Sequence, residues 1–183
     1  MKSKKPTLNQ LAPDFEAKPV FGKRLLLQEE AKKRPLVLVF VPGLASPVAR
    51  NILAALQAKV ADFDLAGVGL YAITPSTLVS AQDFVPRHHL LFPLIADSER
   101  SIHRLYGAGR MGPKQAIRSL QPESLKQGAA ALRQGAGFGV RGTLRGACGF
   151  VVGRGGLLLH TYSARTLFEP IPLDQLLEAA RPS

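Results

Sequence analysis

The strongest constraint on the fold of this chain is an apolar run that leads into an amphipathic pattern. Residues 36–41 are all aliphatic or aromatic, which is typical of a strand buried on both faces. After a short connection, Pro47 suits the first turn of a helix, because that position needs no amide donor. Apolar residues then recur at three- and four-residue steps along one stripe, at Val48, Ile52, Leu56, Val60 and Phe63. The pattern predicts a strand and a helix joined by a corner at 42–46.

The following segments repeat this alternation of strand and helix. Strands are predicted at 68–73 and 92–96, where short apolar runs end at turn-forming residues. The sequence Thr-Pro-Ser at 74–76 is expected to open the next helix, and Asp-Ser at 97–98 is expected to cap a helix over 99–106. Each strand is thus followed by a helix, which is typical of an α/β protein.

The end of the chain predicts an antiparallel hairpin, 149–152 with 157–162, and a final helix near 173–180. We therefore expect an α/β fold with a central, mainly parallel sheet, an antiparallel C-terminal hairpin and helices on both faces. A length of 183 residues fits one domain, so residues 1–183 are expected to form a single unit. A segment at about 108–146 interrupts the alternation and is interpreted as an insertion.

The insertion is strongly basic, in a chain whose net charge is +11. Between 110 and 154 there is a single acidic residue, Glu123. The basic residues there are Arg110, Lys114, Arg118, Lys126, Arg133, Arg141, Arg145 and Arg154. Such a run is either a solvated surface or a docking surface for an acidic partner, such as nucleic acid or another polyanion. Aromatic residues for base stacking are sparse there, which disfavours specific recognition of single strands.

Cys148 is the only cysteine, so an internal disulfide and a cysteine-cluster zinc site are excluded. Of the four histidines, His88 and His89 are adjacent and would diverge on any regular element, and His103 and His160 are scattered, so neither a metal site nor a cofactor is predicted. Strand alternation places Cys148 on the face opposite to Arg145, which predicts a small buried hydrophobe. The alternative is a reactive thiol beside Arg141 and Arg145.

No apolar run approaches the roughly 20 residues that a membrane-spanning helix needs. The basic start of the chain, 1–6, is not followed by the apolar core of a signal peptide. We therefore expect a cytoplasmic protein without a membrane span.

Several segments, taken in order, resemble a known family. They are Ala12-Pro13-Asp14-Phe15, the strand at 65–74, the segment Phe92-Pro93 to Ser101, the step Tyr106-Gly107 and the late hairpin. Their order and spacing resemble the peroxiredoxin-like branch of the AhpC/TSA group, in the thioredoxin-fold superfamily. The resemblance covers nearly the whole chain and implies a thioredoxin-like fold with thiol peroxidase or oxidoreductase ancestry.

In that family, the corner between strand and helix carries a redox cysteine. The branch often has Cys-Pro-x-Cys-Arg, where this chain has Ser46-Pro47-Val48-Ala49-Arg50. The typical pattern Pro-x-x-x-Thr/Ser-x-x-Cys also fits, with Pro42, Ser46 and Ala49 in register. Both alignments place Ala49 where the family has a redox cysteine. The resemblance further implies that the substrate-orienting arginine of the family is Arg145, with Arg141 as the second choice.

Peroxide reduction needs a thiolate that becomes a sulfenic acid, and the methyl group of Ala49 has no such chemistry. The Ser46 hydroxyl stays protonated without an adjacent general base, so its expected role is that of a helix N-cap. The sequence therefore predicts a non-catalytic binding or regulatory protein that keeps a pocket formed by Pro42 to Arg50 and Arg145. Its partner, a small molecule or a protein, is not identified, and a homodimer stays open.

Two alternatives remain. The chain is a thiol-dependent peroxidase that acts through Cys148, or one whose active-site cysteines were replaced by design. Alternatively, the basic region 110–154 makes it a polyanion-binding protein.

Overall fold

The computed structural model describes residues 6–108, 146–166 and 169–181. Five strands of the described part form one sheet, and two short strands form a separate hairpin near the start of the chain. In chain order the elements are β1 (Glu16–Ala17), β2 (Leu25–Leu26), α1 (Leu27–Lys33), β3 (Leu36–Phe40), α2 (Pro47–Leu65), β4 (Gly69–Thr74), α3 (Leu78–Arg87), β5 (Leu94–Ala96), α4 (Ser101–Tyr106), β6 (Cys148–Val152), β7 (Leu158–Ser163) and α5 (Leu173–Ala180).

The five-stranded sheet has the order β5-β4-β3-β6-β7. Strand β4 is parallel to both β3 and β5, whereas β6 is antiparallel to both β3 and β7. Of these five strands, β6 therefore runs against the other four. The arrangement confirms the predicted mixed sheet with an antiparallel hairpin at its C-terminal end.

Strand β3 is buried on both faces, as its uninterrupted apolar sequence predicts. Val37, Val39 and Val41 face a core built with residues of α2, α3 and α5. Leu36, Leu38 and Phe40 face a second core, built with residues of α1 and α4. We call these the α2 layer and the α4 layer. The predicted placement of helices on both faces of the sheet is confirmed.

Two predicted helix starts differ from the structure. Thr74 belongs to β4, and α3 begins only at Leu78, where the Thr77 side chain accepts a hydrogen bond from the Ser80 amide at 3.2 Å. Helix α4 begins at Ser101, after Arg100 adopts a left-handed conformation with φ 59°. At the first of these starts, the Thr74 and Ser76 side chains bond to the corner at 42–44 instead of capping α3, as described below. At the second, the Asp97 side chain does accept a hydrogen bond from the first turn of α4, from the His103 amide at 2.8 Å.

None of the helices in the described ranges is long and apolar enough to cross a membrane. Most of the predicted basic insertion, including Arg141 and Arg145, lies outside the described residues.

Candidate functional site

The corner between β3 and α2 lies at the carboxyl edge of the parallel strands. The chain leaves β3 after Phe40, and the Val41 amide donates to the Ile73 carbonyl of β4 at 2.9 Å. Residues 42–46 then turn, with the Ser46 amide bonded to the Gly43 carbonyl at 2.8 Å. Helix α2 begins at Pro47. Loops at this edge of an α/β sheet commonly carry binding and catalytic groups.

One side chain at the end of β4 and one just after it hold the corner in place. The Ser76 Oγ accepts a hydrogen bond from the Leu44 amide at 2.9 Å. The Thr74 Oγ1 donates to the Pro42 carbonyl at 3.2 Å, and it lies 3.2 Å from Ser76 Oγ. Neither role is predicted by the sequence pattern. The signal available was the position of these hydroxyls directly after a buried strand, next to the corner in the predicted sheet.

Ser46 occupies the N-cap position of α2, but its side chain makes no capping hydrogen bond. The prediction that its hydroxyl caps the helix is therefore wrong. The backbone carbonyl of Ser46 instead accepts from the Arg50 amide at 3.2 Å, and Pro47 supplies the helical φ of the first turn. The Ser46 side chain is left half-buried at the mouth of the corner.

Ala49 lies in the first turn of α2 and is 0% exposed. It belongs to the core of the α2 layer, together with Val41 and Leu44 from the corner. The side chain at this position therefore faces packed apolar groups.

Arg50 brings a cation to the corner without a compensating carboxylate. No ion pair among the described residues involves it, and the first turn of α2 has no acidic residue. Its Nη2 lies 3.5 Å from the Ala45 carbonyl, while its Nε is buried and has no hydrogen-bond partner in the described part of the chain. A guanidinium beside a helix N-terminus attracts anions, because both carry positive charge and N–H donors.

Cys148 is 5% exposed and lies in the α4 layer, across the sheet from Ala49. It is paired with Phe40 in the antiparallel register of β3 and β6, and its Sγ is 3.7 Å from Ser163 Oγ. The thiol is thus in the packed position that strand alternation indicates, and the sheet separates it from the first turn of α2.

A buried polar pair that the sequence analysis did not identify lies beside the corner. Asp97 Oδ2 accepts from the His103 amide at 2.8 Å and is 2.7 Å from His103 Nδ1, and Oδ1 accepts from Ser101 Oγ at 3.0 Å. Burial would raise the pKa of Asp97, but the hydrogen bonds from His103 and Ser101 outweigh it and lower the pKa. The Asp97 amide donates to the Thr74 carbonyl at 2.8 Å, so the pair adjoins the residues that hold the corner.

A groove of about 460 Å³ lies near the other end of α2, against α5. Its central cation, Lys59, is paired with Asp62 at 3.2 Å and Asp174 at 2.9 Å. The positive charge of Lys59 is therefore paired with carboxylates, whereas the charge of Arg50 has no such partner among the described residues. In residues 6–108, 146–166 and 169–181, no three His, Cys, Asp or Glu side chains are grouped to hold a metal ion.

The model of the AhpC/TSA family matches residues 8–129, which is more than half of the chain. The chain belongs to the AhpC/TSA family. No protein of curated function matches it significantly.

Solved peroxiredoxin structures share its fold. A peroxiredoxin-like protein from Aquifex aeolicus matches with a TM-score of 0.70 at 13% identity, over 98% of this chain and 88% of that one. Peroxidoxin BcpB from Mycobacterium tuberculosis matches with a TM-score of 0.68 at 16% identity, over 96% of this chain and 97% of that one. A cysteine-to-serine mutant of peroxiredoxin 6 from Arenicola marina also gives 0.68, at 18% identity, over 93% of this chain and 70% of that one. At identities this low, a structural likeness shows the fold alone. It confirms the predicted thioredoxin-like architecture.

Proposed function

We propose that this chain is a non-catalytic binding or regulatory member of the AhpC/TSA family, with its ligand site at the corner formed by Pro42 to Arg50. One observation carries the proposal: the corner is held by the hydrogen bond that Thr74 donates and the one that Ser76 accepts, yet Ser46 and Ala49, at the start of its helix, supply no thiol. The framework of a redox site is maintained without the atom that would perform the reaction.

Neither side chain at the corner replaces a thiolate. Ala49 has no heteroatom, and it is packed in the core. Ser46 makes no described hydrogen bond to a histidine or carboxylate that would take its proton, so its hydroxyl stays neutral. An oxygen nucleophile also lacks the sulfenic acid that peroxide reduction produces.

The ligand we infer is anionic. The Nε of Arg50 is a buried donor without a partner in the described residues, and leaving such a donor unsatisfied costs about 1–3 kcal/mol. A carboxylate or phosphate at the corner would interact favourably with the accessible part of the partly buried Arg50 guanidinium and with the N-terminus of α2. The proposal includes Arg145 as a second cation of the site, on the resemblance to the family alone.

Titration with inorganic phosphate and, separately, acetate tests this site. We expect saturable amide shifts in the NMR spectrum of the ¹⁵N-labelled protein, concentrated at Val48, Ala49 and Arg50. Replacing Arg50→Gln should weaken binding at least about tenfold, the size of a lost charge-assisted hydrogen bond. The matched control is Arg87→Gln, which removes an exposed arginine already paired with Asp83 at 2.8 Å. Equal loss in both variants, or shifts scattered over the surface, would reject the site.

A peroxidase assay with hydrogen peroxide and an excess of dithiothreitol tests the absence of catalysis. We expect the rate with protein to equal the rate without it, and Cys148→Ser to leave that rate unchanged. Turnover that disappears after thiol alkylation and in Cys148→Ser would overturn the proposal and support the thiol peroxidase. The buried position of Cys148, across the sheet from α2, argues against that alternative.

A second proposed function rests on the charge distribution. Residues 110–154 hold eight Lys or Arg and one Glu, and most of them lie between α4 and β6 in the sequence. We propose that this region binds a polyanion. Affinity for heparin or mixed-sequence single-stranded DNA should then fall steeply between 50 and 200 mM salt, as about four or more contacts predict. Binding that does not change with salt would contradict it.

A further inference from the structure

We draw no further inference here: the strongest candidate, the exposed leucine patch formed by Leu11, Leu157 and Leu159 beside the start of β7, carries nothing, because no contact in the structure shows what covers it.

Discussion

Ala49 and Cys148 lie in different layers of the molecule, with the central sheet between them. Ala49 lies in the α2 layer, on one face of the sheet, and Cys148 lies beside Phe40 in the α4 layer, on the other face. The sheet therefore separates the Cys148 thiol from the first turn of α2. Among the described residues, Cys148 is paired with Phe40 across the strands and lies near the Ser163 hydroxyl, whereas the N-terminus of α2, the kind of position that activates thiols, is on the other side of the sheet.

Cys148 should be inert in the native state. With 5% of the residue exposed, its reaction with Ellman's reagent should wait for an opening of the fold. We expect labelling at least about 100-fold slower than in 6 M guanidinium, a ratio that a local opening free energy above about 2.7 kcal/mol produces. Complete labelling within the mixing time under native conditions would contradict this burial.

Thiols placed at the two corner positions should differ in reactivity. In a Cys148→Ser background, Ser46→Cys should react with iodoacetamide faster than Ala49→Cys, because Ser46 is half-buried whereas Ala49 is 0% exposed. The pKa of the thiol in Ser46→Cys should fall below the ordinary value of about 8.5, because α2 begins there and Arg50 is near. The pH dependence of the alkylation rate measures it.

Adding Arg50→Gln to Ser46→Cys should raise that thiol pKa, whereas adding Arg87→Gln should leave it unchanged. If Ala49→Cys reacts faster than Ser46→Cys, the corner opens more than its packing indicates, and position 49 is accessible to small reagents.

The corner should loosen when Ser76 loses its hydroxyl. Ser76→Ala removes the acceptor of the Leu44 amide, so we expect a loss of about 1 kcal/mol in the free energy of unfolding and weaker phosphate binding. Urea denaturation and the NMR titration measure the two effects. Ser98→Ala, at an exposed serine without a described hydrogen bond, is the matched control and should change stability by less than about 0.5 kcal/mol. Equal effects of the two substitutions would show that Ser76 does not position the corner.

The pair of Asp97 and His103 should make stability depend on acid. Burial opposes ionisation of Asp97, but hydrogen bonds lower its folded-state pKa below the ordinary value of 3.8. Its ionised form therefore stabilises the fold above about pH 4, and this stabilisation is lost as the pH falls through the lowered pKa.

Asp97→Asn should therefore flatten the acid limb of a plot of unfolding free energy against pH from 2 to 6. His103→Ala removes the ring Nδ1 that lies 2.7 Å from the buried Asp97 carboxylate, and should cost about 3–5 kcal/mol at pH 7. Asp83→Asn, at an exposed ion pair, should alter neither quantity appreciably. An unchanged acid limb in Asp97→Asn would mean that Asp97 has the same pKa in the folded and unfolded states.

Sequence reasoning succeeded where one segment's own pattern determines the structure. The run before Pro42 predicts β3, because a strand buried on both faces needs an apolar residue at every position. Pro47 and the stripe that follows it predict α2 for the same kind of local reason.

The sequence was less informative where side chains bond to other elements. Hydroxyls such as those of Thr74 and Ser76 can hydrogen-bond either to a nearby helix end or to backbone groups far away in the sequence. Only the packing of β4 against β3 brings the distant amide and carbonyl within reach. The pairing of Asp97 with His103 depends on the left-handed turn at Arg100, a conformation that the residue type itself does not suggest.

The burial of Ala49 limits which side chains can replace it. A residue enclosed by core side chains is constrained by its volume, so a methyl group that fits there stabilises the fold whether or not any ligand binds. A cysteine at position 49 would have to accommodate a larger sulfur atom among fixed neighbours, at a cost in packing. The volume that the core leaves for this side chain therefore restricts which residues position 49 accepts.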